Sequence, residues 1–220
     1  MLIDLSHPIE DGLTTYPGLP VVRLSTFQSR SERQAYDEDT SFLITGVEMV
    51  GNTATYVDAP FHRYDNGDDL ASLPLDRLVD LDAVMVPTDQ RQIGREIFDS
   101  VDVREKAVLV ATGWSRHWKS PEYFGEYPFL TDGAADYLVG QGARLVGIDS
   151  VNIDDARDPK RPVHSRLLAA GIPIVEHLCG LASLPPRGAR FFAAPPRIVG
   201  GTSFPVRAFA VVSDPKVVTS

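Results

Sequence analysis

The side chains best suited to chemistry gather in two stretches of the 220-residue chain. In the first, Gly51-Asn52-Thr53-Ala54-Thr55-Tyr56-Val57-Asp58-Ala59-Pro60-Phe61-His62, a polar run follows an apolar one, and Asp58 and His62 flank Pro60 four residues apart. On a loop, that spacing puts a carboxylate and an imidazole into one pocket, the first as a ligand and the second as a proton carrier. The plainer alternative is a structured turn with a surface histidine. In the second stretch His164 precedes Glu176, which closes the apolar run Gly171-Ile172-Pro173-Ile174-Val175. An ionised carboxylate there is costly unless a cation or several donors meet it; the alternative is a strand-end glutamate reaching solvent. His177 follows directly, points the other way on a strand, and is read as structural.

Familiar catalytic signatures are missing: the sequence has no G-x-S-x-G elbow, no P-loop, no G-x-G-x-x-G and no H-E-x-x-H. Twenty-one basic against 30 acidic residues give a formal charge of −9, with no basic run, which argues against a phosphate-backbone binder. No window reaches the ~18 consecutive apolar residues of a membrane span, and the amino-terminal residues lack a basic leader pattern, so a cytoplasmic protein is expected. Cys179, the sole cysteine, leaves no intramolecular disulfide and no thiolate zinc site within one chain. Packing must hold this fold.

Short β-type runs position these residues: 2–9, 21–27, 42–49, 83–87, 108–112, 145–149, 172–176 and 205–212. Helices separate only the later ones. Thr131 is suited to cap a helix opened by Asp132 and stopped at Gly140 and Gly142, and a second helix is expected over about 163–170. The expected fold is therefore α/β, one domain over residues 1–220, with a mixed sheet or partial barrel flanked by helices. Glycine and proline are spread among turns, with no linker and no repeat, and the Ser- and acid-rich segment 29–41 reads as an exposed loop able to cover a site.

From end to end the chain resembles the cyclase-type metal-dependent hydrolases, a family that includes bacterial kynurenine formamidase and isatin hydrolase. Ile3-Asp4-Leu5-Ser6-His7-Pro8-Ile9, Tyr16-Pro17-Gly18, Thr112-Gly113-Trp114-Ser115, Gly147-Ile148-Asp149-Ser150, the segment from His164 to Glu176, and Pro205-Val206-Arg207-Ala208 fall in the family's order. Its defining motif, H-x-G-T-H-x-D-x-P-x-H, survives in its second half as Asp58, Pro60 and His62, with Thr55 at the fixed threonine. Asn52 and Tyr56 stand where the family has two metal-binding histidines, and Ala54 where it has glycine. In dinuclear members one ion uses those histidines with the Asp and Glu, and the other uses the Asp, a later His and the same Glu. The resemblance thus implies Asp58, His164 and Glu176 as ligands and His62 as the proton donor and acceptor.

Amide and phenol oxygens are poorer ligands than imidazole for zinc-like ions, so one divalent ion per chain is expected; one histidine with two carboxylates suits Mn or Mg as readily as Zn. No organic cofactor is implied. Tyr16, at a family tryptophan position, is a candidate to stack on a flat substrate, with turn packing as its alternative. Asn52 and Tyr56 are candidates to hydrogen-bond substrate. The implied activity is hydrolysis of a small amide, lactam, ester or lactone by a homodimer, with no nucleic-acid or membrane partner. Two rivals remain: a cyclase or dehydratase-like enzyme of secondary metabolism using His62 and Tyr56 without the full metal centre, and a small-ligand binding protein on the same fold.

Overall fold

The computed structural model describes residues 1–31, 37 and 39–213, so residues 32–36 and 38 of the expected covering loop lie outside the described residues. Among the described residues thirteen strands are formed: β1 (Leu2–Asp4), β2 (Arg23–Gln28), β3 (Ile44–Glu48), β4 (Tyr56–Asp58), β5 (Leu81–Pro87), β6 (Gln92–Ile93), β7 (Ala107–Ala111), β8 (Phe129–Leu130), β9 (Leu145–Ile148), β10 (Ile174–Glu176), β11 (Arg187–Phe192), β12 (Ser203–Pro205) and β13 (Phe209–Val212). The described residues also form two α-helices, α1 (Asp132–Gln141) and α2 (Pro162–Ala169). Nine strands make one mixed sheet in the order β1-β13-β11-β5-β7-β9-β10-β4-β12. The central β5, β7, β9 and β10 run parallel, and antiparallel partners extend both sides. β2 with β3, and β6 with β8, form separate two-stranded ribbons.

Side-chain alternation divides the interior into two cores, one on each face of the sheet. Val108, Val110, Val146, Ile148 and Ile174 meet Leu138 of α1 and Leu167 of α2. Leu109, Leu145, Val57 and Val175 face the opposite core with Phe191 and Leu5. Gly147 lets the second core close on β9: a Cβ there would lie 2.7 Å from a Leu178 methyl and 2.9 Å from a Leu109 methyl, so both side chains would have to shift. α1 starts as its sequence dictates, with the Thr131 hydroxyl accepting from the Ala134 N–H and left-handed Gly142 ending it.

The expected strand over 205–212 splits into β12 and β13, and the run over 2–9 ends at Asp4. β4 corrects the reading of 51–62 as a loop: Tyr56, Val57 and Asp58 are a buried strand between β10 and β12. β11 falls in a stretch with no expected strand. Among the described residues no helix is long and apolar enough to cross a membrane.

Candidate metal centre

Strand register builds the centre. β4 lies antiparallel to β10 with Tyr56 opposite Glu176 and Asp58 opposite Ile174, while Ser203 of β12 stands opposite Asp58. Since alternate residues share a face, Tyr56, Asp58, Glu176 and Ser203 all project from one side, toward α2. Asp58 and Glu176 are wholly buried. Each has donors of its own. Glu176 accepts the Tyr56 hydroxyl on Oε2 and the Ile153 N–H on Oε1 at 2.6 Å. Asp58 Oδ1 accepts the Ser203 hydroxyl and, at 3.3 Å, the Asn52 amide. Among the described residues, none gives the buried Asp58 Oδ2 a hydrogen bond.

α2 brings His164 over this pair. Pro162 occupies its first position, as a residue with no N–H to satisfy can. The Asp154 carboxylate then accepts the Val163 and His164 N–H groups at 2.7 and 3.0 Å and, through Oδ2, meets His164 Nδ1 at 2.6 Å. That contact fixes the ring so that Nε2 faces Asp58 Oδ2 and Glu176 Oε1, both at 3.6 Å. One ligand atom each from Asp58, His164 and Glu176 lies within 4.8 Å of the others.

The electrostatics ask for a cation. Burial pushes Glu176 up to about 7, His164 pulling it back and Asp58 pushing it further. Burial also works against ionised Asp58, yet His164 and His62 hold its carboxyl below the usual range. His164 itself rises to about 10: burial opposes its charge, but Asp154, Asp58 and Glu176 outweigh it. A proton on His164 thus offsets only part of the charge of the two carboxylates, and a divalent ion would offset it more fully, with the unpartnered Asp58 Oδ2 as a ligand. The donor set fits one ion, with Tyr56 and Asn52 committed to the carboxylates rather than presenting imidazoles.

His62 follows Pro60 on a 3-10 turn, with its side chain one-third exposed. Its Nδ1 is 3.1 Å from Ser203 Oγ. Because the Ser203 hydroxyl is donated to Asp58, its oxygen accepts from His62 Nδ1–H, leaving Nε2 as the basic nitrogen. His62, His164, Asn52, Tyr56 and Tyr16 all line one cavity of about 360 Å³. Tyr16 donates its hydroxyl to the Val151 carbonyl, accepts from Asn152 at 2.9 Å, and sets its ring edge-on to His177. His177 leaves the strand with φ 54° and sits buried with Nδ1 2.8 Å from the Tyr123 hydroxyl. Ala54 has φ 52°, a backbone that glycine adopts freely, and Thr15 Oγ1 accepts its N–H at 2.8 Å.

Sequence reasoning missed Asp154, Asn152 and Ser203. For Asp154 a signal existed: a carboxylate shortly before a proline-started helix is a natural acceptor for that helix's first N–H groups. Ser203 offered none, because its role depends on β12 pairing with β4.

The family model described as "Putative cyclase" matches residues 3–155. The chain belongs to the Cyclase family. Within and around it, kynurenine formamidase of Geobacillus thermodenitrificans is 28% identical over 208 residues, covering 94% of this chain and 95% of that protein. A solved structure described as a potential metal-dependent hydrolase with cyclase activity superposes with a TM-score of 0.78 at 26% identity, covering 98% of this chain and 99% of the other. Isatin hydrolase A of Labrenzia aggregata shares the fold, with a TM-score of 0.83 at 23% identity over 97% of this chain and 94% of its own. The half-barrel sheet flanked by two helices is thus the architecture of the Cyclase family.

Proposed function

We propose that this Cyclase-family chain is a hydrolase of small amides, cleaving a C–N bond in the manner of an arylformamidase, with one divalent ion (Mn, Zn or Mg) held by Asp58, His164 and Glu176. The observation that carries the reading is the buried, unpartnered Asp58 Oδ2 facing the His164 nitrogen that Asp154 has oriented. Membership of the family, and its likeness to a kynurenine formamidase over most of both chains, support the reaction class. An ion so held supplies Lewis-acid chemistry, acidifying water and polarising the scissile carbonyl.

The chain's own residues do the rest. His62 takes a proton from the attacking water at Nε2 and returns it to the leaving nitrogen, while Ser203 keeps the ring in the required tautomer. Tyr56 and Asn52 hold the two carboxylates in place from the cavity wall. The rival in which Tyr56 carries protons is disfavoured, because its hydroxyl is donated to Glu176 and burial pushes its pKa well above the ordinary value.

Elemental analysis of the purified protein after Mn or Zn loading, with Asp58→Ala as control, tests the centre. About one ion per chain, lost in the variant, is expected; no ion under any loading refutes it and favours the ligand-binding rival. His62→Ala should lower turnover of an aryl formamide by about 10²–10⁴-fold, and undiminished hydrolysis would rule out the assigned role. The same proposal includes a cytoplasmic homodimer by family analogy, and the β2–β3 ribbon, which exposes Leu24, Phe27, Ile44 and Val47, supports the dimer.

A further inference from the structure

The mouth of the cavity is positively charged, in a chain that is not. Arg63, Lys160 and Arg161 line it together with the two histidines, and no acidic side chain does. With 21 bases and 30 acids in the whole sequence, three bases and no acid at one opening is a local reversal of sign. Among the described residues none of the three pairs with a carboxylate within 4.0 Å, although the other arginines near the surface commonly do. Arg161 is the innermost of them and is only partly exposed. Its Nη1 donates to Asn152 Oδ1 at 3.2 Å, and Asn152 in turn donates to the Tyr16 hydroxyl at 2.9 Å, so the guanidinium is tied to the cavity wall.

The backbone bears out the importance of this position. Arg161 is the N-cap of α2 with φ 47° and ψ 60°, a left-handed geometry that Asn or Gly adopts at less cost. Its side chain caps nothing; the helix N–H groups are taken by Asp154. An arginine held in a strained conformation, without a cap bond and without a carboxylate partner, beside the candidate ligand His164, is placed for something that enters the cavity.

We propose that this cavity selects amide substrates bearing a carboxylate, which Arg161 binds and which Lys160 and Arg63 draw toward the opening. The inference rests on the amide-hydrolase reading and narrows it, from neutral lactams and formamides to anionic open-chain amides. Guanidinium matches carboxylate with two parallel N–H donors, whereas the flexible, more exposed Lys160 and Arg63 act through charge. Tyr16 on the cavity wall, which is partly exposed, offers aromatic surface to a flat ring beside that anion.

Two probes of similar shape test it: 2-formamidobenzoate and its neutral counterpart 2-formamidobenzamide, with binding measured by calorimetry on metal-loaded protein and turnover measured separately. The carboxylate should bind at least about tenfold tighter than the carboxamide in the wild type, with the preference shrinking as salt is raised. Arg161→Gln should bring the two within about twofold while leaving carboxamide affinity in place, which also shows that the cavity still forms; Arg161→Lys should keep part of the preference. Arg63→Gln with Lys160→Gln should slow association and weaken its salt dependence. Equal affinities in the wild type, a preference that persists undiminished in Arg161→Gln, or failure of both probes to bind at millimolar concentration would each overturn the proposal. Preferred binding of the carboxylate without hydrolysis of either probe would sink the hydrolase reading and leave the anion subsite standing.

Discussion

Tyr56→Phe removes one oxygen atom from the buried centre, and the register of β4 on β10 dictates what that deletion does. Tyr56 is 2% exposed and Glu176 wholly buried, so water does not replace the lost donor. Glu176 would keep the Ile153 N–H at 2.6 Å and the facing His164 Nε2 at 3.6 Å. Losing a hydrogen bond to a buried charged group costs about 1.5–3 kcal/mol, or roughly 3–12 °C in Tm for a chain of this size. The cost depends on pH. Burial pushes Glu176 up to about 7 in the folded protein from the ordinary 4.5 of a solvated glutamate, so between those values the folded state binds a proton that the unfolded state has released, and stability falls as pH rises. The Tyr56 hydroxyl favours the ionised form. Its loss should therefore be small at pH 5, where Glu176 is protonated, and full at pH 8.5. Scanning calorimetry of wild type and variant in a chelating buffer at both pH values measures this. An equal loss at the two would show that the ring's packing, not its donor, matters, and no loss at either would show that Tyr56 does not hold Glu176.

Asp154→Asn puts an amide against His164 Nδ1 in place of a carboxylate and favours the tautomer with its proton on Nε2, so Mn or Zn affinity should fall about 10–100-fold; unchanged affinity in a chelator competition would discard the orienting role. Burial first, and the charge of His7 second, push His177 down to about 3. The unfolded chain then binds a proton near pH 6.5 that the folded one refuses, so stability falls as pH drops from about 6.5 toward 3. Denaturant titrations at pH 6.5 and 4.5 should show the wild type losing about 2–3 kcal/mol more than His177→Gln, and parallel losses would contradict the assignment. Asn52→His combined with Tyr56→His restores the imidazoles of the family pattern beside Asp58 and Glu176, and elemental analysis should find a second ion per chain; a stoichiometry still at one would mean that the backbone there no longer suits a dinuclear site.

How legible the fold was depended on how local its causes are. α1 could be read almost to the residue, because Thr131 and Gly142 act on their own helix ends. The central strands β7 and β9 were legible too, since both their faces are buried and their runs are continuously apolar. β4 was not. Its three residues include two polar ones, Tyr56 and Asp58, on the face where an apolar pattern is expected, and what stabilises them there is pairing with β10 and β12 from more than 100 residues away. β11 was hidden by Arg187, Gly188 and Arg190 among its six residues, although Ala189 and Phe191 alternate inward as a strand with one covered face should.

The same split runs through the centre. Asp58 and Glu176 drew notice because carboxylates among apolar neighbours need compensation, and the structure shows the need met in part by Tyr56, Ile153 and Ser203. It is met only in part, since Asp58 Oδ2 has no partner. That asymmetry separates the two meanings of the altered motif. Had the centre decayed, nothing would maintain the cost of two buried carboxylates around one histidine, and removing a single partner from such a group destabilises by several kcal/mol. Asn52 and Tyr56 instead donate to the same two carboxylates, on the atoms Asp58 Oδ1 and Glu176 Oε2, and leave free of hydrogen bonds the Asp58 oxygen that faces His164. The substitutions close one side of the cluster and preserve the other. A chain altered in this way keeps the three side chains of the proposed one-ion site, Asp58, His164 and Glu176, together with His62 at the cavity mouth, beside Ser203.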